Sequence, residues 1–145
     1  MNLTVGTVLR ETALFFAKRG LEAARLEAEL LMAHLLATDR LRLYTDGDRP
    51  LNTDEINKYK DLIRQRLSGQ PLAYITGKKS FLSWEFGVTP AVLIPRPETE
   101  VLVEKAVDFC RTAPPGRLLE LGTGSGVIAV SLAHYLPAFI IDAVD

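Results

Sequence analysis

Leu118-Leu-Glu-Leu121, Gly122-Thr-Gly-Ser-Gly126 and Val127-Ile-Ala-Val-Ser-Leu-Ala-His-Tyr-Leu136 follow one another without a gap, and Phe139-Ile-Ile-Asp-Ala-Val-Asp145 comes next. The first run is short, apolar and bounded by glycine, as a buried strand is. The second is a tight loop, the third has the length of a helix, and the fourth reads as a second strand. Strand, glycine loop, helix, strand is the opening βαβ unit of a doubly wound parallel sheet.

Upstream of this unit, Ala113-Pro-Pro-Gly116 is a linker, and Pro97 to about Arg111 reads as a helix. Proline suits its first turn, where no amide hydrogen is needed, and Glu98 and Glu100 sit at the positive end of its dipole. Between Pro71 and Pro95 the chain is built from short aromatic and β-branched runs: Tyr74-Ile-Thr76, Ser80-Phe-Leu82 and Trp84-Glu-Phe-Gly-Val88. These predict a hairpin. Residues 1–70 read as helices. One runs from a Thr4 cap to Gly20 on Val5, Val8, Leu9, Phe15 and Phe16; a second places Ala23, Leu26, Leu30, Ala33 and Ala37 on one face, widened by Leu31 and Leu35, with Glu22, Arg25 and Glu29 outside it. Asp46-Gly-Asp-Arg-Pro50 is turn chemistry, and Asn52-Thr-Asp-Glu55 resembles a capping box opening a third helix to Leu67. The plan is three segments: helices over 1–70, a hairpin connector over 71–95, and the α/β unit over 96–145.

Composition fits such a plan. At 145 residues, with 48% hydrophobic and 24% charged side chains, the chain has enough apolar surface for one domain or two small ones. Its formal charge of -1 excludes the global basic field that draws a protein to nucleic acid. The single cysteine, Cys110, is read as a helix-packing thiol, and no Cys or His cluster has metal-ligand spacing, so no metal is expected. A secretory leader and a membrane-spanning run are both missing from the pattern, which points to a cytoplasmic protein without a membrane partner. His34 and His134 are read as structural or surface residues, and Asp142 as a solvated strand residue.

The chemistry lies in Glu120-Leu-Gly122-Thr123-Gly124-Ser125-Gly126. The spacing is GxGxG, whereas a dinucleotide loop sets its glycines as GxGxxG to bring a pyrophosphate onto a helix N-terminus. S-adenosyl-L-methionine carries no phosphate, so its loop need only bend sharply and lay bare backbone against the ligand. Glu120 can face the ligand's ammonium group, directly or through water. Asp145, 23 residues after Gly122, stands near the ~20-residue offset of an acid that takes both ribose hydroxyls on its two oxygens. The loop alone is equally well read as a bare turn; strand, helix and second-strand acid together turn the reading toward cofactor binding. Ile94-Pro95-Arg96-Pro97-Glu98-Thr99-Glu100 is, by itself, a stiff entry into a capped helix.

The order of helical front end, Pro71-Leu-Ala-Tyr-Ile-Thr-Gly77, aromatic hairpin, Leu93-Ile-Pro-Arg-Pro-Glu-Thr-Glu100 and the glycine loop resembles the HemK/PrmC family of protein-(glutamine-N5) methyltransferases, which act on class 1 peptide chain release factors. The resemblance covers essentially the whole chain, and Ile-Pro-Arg-Pro-Glu-Thr-Glu is its most specific part. It implies an all-α N-terminal domain followed by a Rossmann-like class I methyltransferase sheet, S-adenosyl-L-methionine as cofactor, and a release factor as protein substrate. It implies a cofactor loop at Gly122 to Gly126 with its ribose acid at Asp145. It also implies that Arg96, Pro97 and Thr99 border the pocket, and that residues 1–70 dock the release factor. The family's catalytic Asn-Pro-Pro-Tyr follows the fourth strand, whereas these residues reach the second. The chain is therefore expected to be the N-terminal half of the enzyme and inactive alone. Three other readings stay open: a protein-docking module with a vestigial loop, a glutamine methyltransferase acting on a ribosomal protein, and a nicotinamide enzyme, which the glycine spacing disfavours.

Overall fold

Thr4 opens the first helix, α1 (Val5–Lys18), with a reciprocal cap: its hydroxyl oxygen accepts from the Thr7 amide at 3.3 Å, and its own amide donates to the Thr7 hydroxyl oxygen at 2.9 Å. In this computed structural model, which describes residues 3–145, four more helices follow: α2 (Ala24–Leu35), α3 (Arg42–Thr45), α4 (Thr53–Leu67) and α5 (Leu72–Thr76). The Asn52 box forms as the spacing predicts, with Asn52 Oδ1 accepting from the Glu55 amide at 2.8 Å and Glu55 Oε2 accepting from the Asn52 amide at 3.0 Å. Together these helices make one compact unit, ending at Thr76.

The core of this unit is Val5, Phe16, Ala28, Leu31, Met32 and Tyr59, all essentially without exposure. Here α2 keeps only part of its expected face. Ala24, Ala28, Leu31, Met32 and Ala33 are buried, so Leu31 and Ala33 lie inside as expected, whereas Ala23, Leu26 and Ala37 are exposed. Two of the buried residues, Ala24 and Ala28, are alanines one turn apart and add little bulk to a helix that packs closely on α1. Glu29 also lies inside. Its carboxylate meets Arg25 Nε at 3.0 Å and Arg40 Nε at 3.1 Å, and accepts from the Tyr44 hydroxyl, so α2, α3 and the intervening loop share one buried charge. Burial works to raise that carboxyl, but the hydrogen bonds from Tyr44 and Arg25 and the charge of Arg40 outweigh it and hold the group below the ordinary value.

Tyr74-Ile75-Thr76, expected to be extended, is the end of α5. Ile75 is buried in the helical core, and the Thr76 hydroxyl donates to the Leu72 carbonyl at 3.1 Å. Tertiary burial of one side chain outweighs the β propensity of so short a run.

From Gly77 to Asp145 a second unit forms. Strands β1 (Lys78–Phe81) and β2 (Trp84–Gly87) pair antiparallel, Phe81 opposite Trp84, around a turn in which Leu82 takes a φ of 51°. Then come α6 (Pro97–Arg111), β3 (Arg117–Leu121), α7 (Val127–Tyr135) and β4 (Ile140–Val144). Strands β3 and β4 are parallel, from Arg117 opposite Ile140 to Leu121 opposite Val144, so β3, α7 and β4 are a βαβ unit. Phe81, Val103, Val107, Cys110, Val127, Leu132 and Leu136 form the core, and Cys110 is a buried packing thiol. Trp84 stacks on Tyr135 at 5.8 Å between ring centroids and meets His134 edge-on at 4.6 Å, which lays the hairpin on the C-terminal end of α7. The stretch 71–95 is thus divided: its first residues finish the helical unit, and its hairpin packs into the second. Asp142 pairs with Arg117 across the two strands at 2.8 Å. Among the described residues no helix is long and apolar enough to cross a membrane.

Candidate cofactor site

The glycine loop joins β3 to α7, and three of its residues lie in the left-handed region: Gly122 at φ 74°, Gly124 at 51° and Gly126 at 75°. Any L side chain is strained there, so the alternating glycines follow from the backbone path. A Cβ built on Gly122 or Gly124 would meet nothing within 4 Å. The loop is therefore a bare backbone surface facing open space, as close approach by a ligand requires.

The end of β4 holds the loop. The Val144 carbonyl accepts from the Gly122 amide at 2.7 Å and from the Thr123 amide at 3.1 Å, and the Gly126 amide closes the turn on the Thr123 carbonyl at 2.8 Å. One residue further on, Asp145 Oδ1 accepts from the Gly124 amide at 3.2 Å. The predicted acid and the predicted loop, 21 residues apart in sequence, therefore meet directly at the C-terminal ends of two parallel strands. That edge is where open α/β sheets bind their ligands. Asp145 is exposed and Ser125 half-buried.

Glu120, on β3, is half-buried and turned toward the helix. Its Oε2 accepts from the Thr123 hydroxyl at 3.0 Å and from the Ala129 amide at 3.0 Å. Arg96, Pro97 and Thr99 stand at the start of α6: Arg96 is its exposed N-cap residue, Pro97 its first helical residue, and Thr99 is half-buried with its amide on the Arg96 carbonyl at 3.0 Å. Among the described residues no hydrogen bond or ion pair joins these three to the glycine loop. Glu100, read from the sequence as an acid at the positive end of α6, has a further contact there: its Oε1 accepts from the Leu82 amide at 2.9 Å and ties the hairpin turn to α6.

An open groove of about 520 Å³ lies elsewhere, in the helical unit, lined by Leu9, Ala13, Leu14, Arg25 and Tyr44. Its carboxylate, Glu29, is already committed to Arg25, Arg40 and Tyr44. The shallow loop is thus the better candidate for chemistry, because it combines bare backbone with an exposed carboxylate.

The PrmC N-terminal domain profile matches residues 7–77. The chain is 42% identical to a release factor glutamine methyltransferase of Chlorobaculum tepidum over 98% of its own residues and 50% of the relative's. It is 45% identical to the protein of that name from Geobacter sulfurreducens, over 92% of this chain and 46% of the other. A third, from Rhodopirellula baltica, is 40% identical over 98% and 49%. The chain spans about half the length of the curated relatives it matches. With the profile on its helices and these relatives along nearly all of its residues, the chain belongs to the HemK/PrmC family.

Proposed function

We propose that residues 96–145 begin the S-adenosyl-L-methionine pocket of a Rossmann-like methyltransferase domain. In this reading residues 1–70 dock a class 1 peptide chain release factor, and the whole protein methylates a release-factor glutamine at N5. The observation that carries the pocket is the meeting of Asp145 with the Gly124 amide beside open space at Gly122 and Gly124. Names borne by the relatives support the protein substrate.

The residues present fit the cofactor. Gly122 to Gly126 offer bare backbone to its methionine and ribose portions. Asp145 keeps Oδ2 free of the Gly124 amide and has a second oxygen for a second hydroxyl. Arg96, Pro97 and Thr99 border the same pocket in this reading. When bound, the cofactor supplies an electrophilic methyl group on a sulfonium. The acceptor amide is a poor nucleophile because its lone pair is delocalised into the carbonyl, so two hydrogen-bond acceptors must localise and aim it. The family's Asn-Pro-Pro-Tyr provides those acceptors, and it is not among these 145 residues.

The test is mass spectrometry of a release factor incubated with S-adenosyl-L-methionine and either this chain or a version carrying the relatives' remaining half. One added methyl on a glutamine with the longer protein, and none with the 145 residues, is expected. An unmodified release factor with the longer protein would overturn the reading.

A further inference from the structure

A helix begins with amide hydrogens that have no intrahelical partner, and the N-cap side chain ordinarily accepts one of them, at N2 or N3. At α7 the N-cap is Gly126, which has no side chain and lies at φ 75°. The N3 amide belongs to Ala129. It donates at 3.0 Å to Oε2 of Glu120, a residue six positions before the cap and on the preceding strand. That oxygen also takes the Thr123 hydroxyl at 3.0 Å. One carboxylate oxygen therefore links β3, the start of the glycine loop and the first turn of α7. Its negative charge stands where the helix dipole favours it.

We propose that Glu120 is a positioning residue: it caps α7 across the loop and so fixes the backbone that receives the cofactor, instead of neutralising the ligand's ammonium group. The inference rests on the cofactor reading above. It separates two roles that the sequence leaves fused, because an acid before GxGxG serves a cap and a charge partner equally well on paper. Oε2 is spent on two internal donors, which is the geometry of a cap, and an uncharged amide oxygen of the same reach contributes nearly the same geometry, so substitution separates the cap from the charge.

Two variants separate the roles. Glu120→Gln keeps an acceptor for Ala129 and Thr123 but no charge; Glu120→Ala keeps neither. Amide exchange by NMR on this chain should show Ala129 about fivefold less protected in Glu120→Ala, the effect of losing a typical cap, and close to wild type in Glu120→Gln. Unchanged protection of Ala129 in Glu120→Ala would overturn the cap. S-adenosylhomocysteine is then titrated calorimetrically into the longer protein carrying each variant. Affinity of Glu120→Gln within about fivefold of wild type supports positioning, whereas a larger loss would mean that the charge itself is used and would overturn it. Because the glutamine variant carries this arm, it decides even if Glu120→Ala does not fold. A longer wild-type protein that takes up no ligand would instead refute the cofactor reading, with the cap still decided by exchange.

Discussion

Glu29→Gln isolates the buried charge that ties α2 to α3. The substitution keeps the volume and leaves Tyr44 an oxygen to donate to, but it places an amide where a carboxylate faced Arg25 and Arg40. Hydrogen bonds to charged groups contribute ~1.5 to 3 kcal/mol net. The two guanidinium groups are 74% and 46% exposed, and water replaces much of what they lose, so their share falls toward that of surface ion pairs. The expected cost at pH 7 is therefore about 1.5 kcal/mol, near the low end of that range. Its pH dependence follows from the depressed folded value of the carboxyl. Stability from such a group is fully present above the unfolded value, ~4.3 for glutamate, and is lost as pH falls through the folded one. Urea unfolding followed by far-UV circular dichroism, which reports mainly on the helices, should give a constant difference between wild type and variant from pH 7 to about 5 and a shrinking one below about 4. A difference unchanged at pH 3, or indistinguishable from zero at pH 7, would refute this account of Glu29.

Three further outcomes are expected. Glu100→Ala removes the acceptor on Leu82, whose amide should then exchange about tenfold faster by NMR while α6 stays helical. Gly124→Ala meets no neighbour and should cost only the left-handed strain of ~1 to 2 kcal/mol in urea unfolding, yet its methyl enters the space where the proposed reading seats the ligand and should weaken S-adenosylhomocysteine binding by the longer protein at least tenfold. Phe81→Ala empties the centre of the second core and should cost ~3 to 5 kcal/mol there, read as a lower urea midpoint in the fluorescence of Trp84.

Much of this architecture is legible in residue types because local and tertiary preferences agree. Thr4 and Asn52 cap where their side chains can reach the third amide, and the alternating glycines occur where the backbone runs left-handed. Elsewhere the two preferences part. On α2 the buried side includes Ala24 and Ala28, small residues that a search for large apolar side chains at helical spacing passes over. The same helix buries Glu29, whose partners Arg40 and Tyr44 are 11 and 15 residues away, too far for a spacing rule. Tyr74 to Thr76 have β-forming side chains but are drawn into a helix by burial of Ile75. The approach of Asp145 to the glycine loop is legible in its offset, whereas the Val144 carbonyl that holds the loop is backbone and has no signature in side chains. Glu120 was visible as an acid near the loop; its cap became visible only with Ala129 beside it, although a helix opening on glycine hints that its cap comes from elsewhere.

In the proposed reading the loop and Asp145 form half of a cofactor pocket. Calorimetric titration of S-adenosylhomocysteine into this chain and into a version extended through the relatives' remaining half, each with and without Asp145→Ala, tests it most directly. Binding to the extended form alone, weakened at least about tenfold by loss of the carboxylate, is the predicted result. No uptake by either form, or equal binding with and without Asp145, would contradict it.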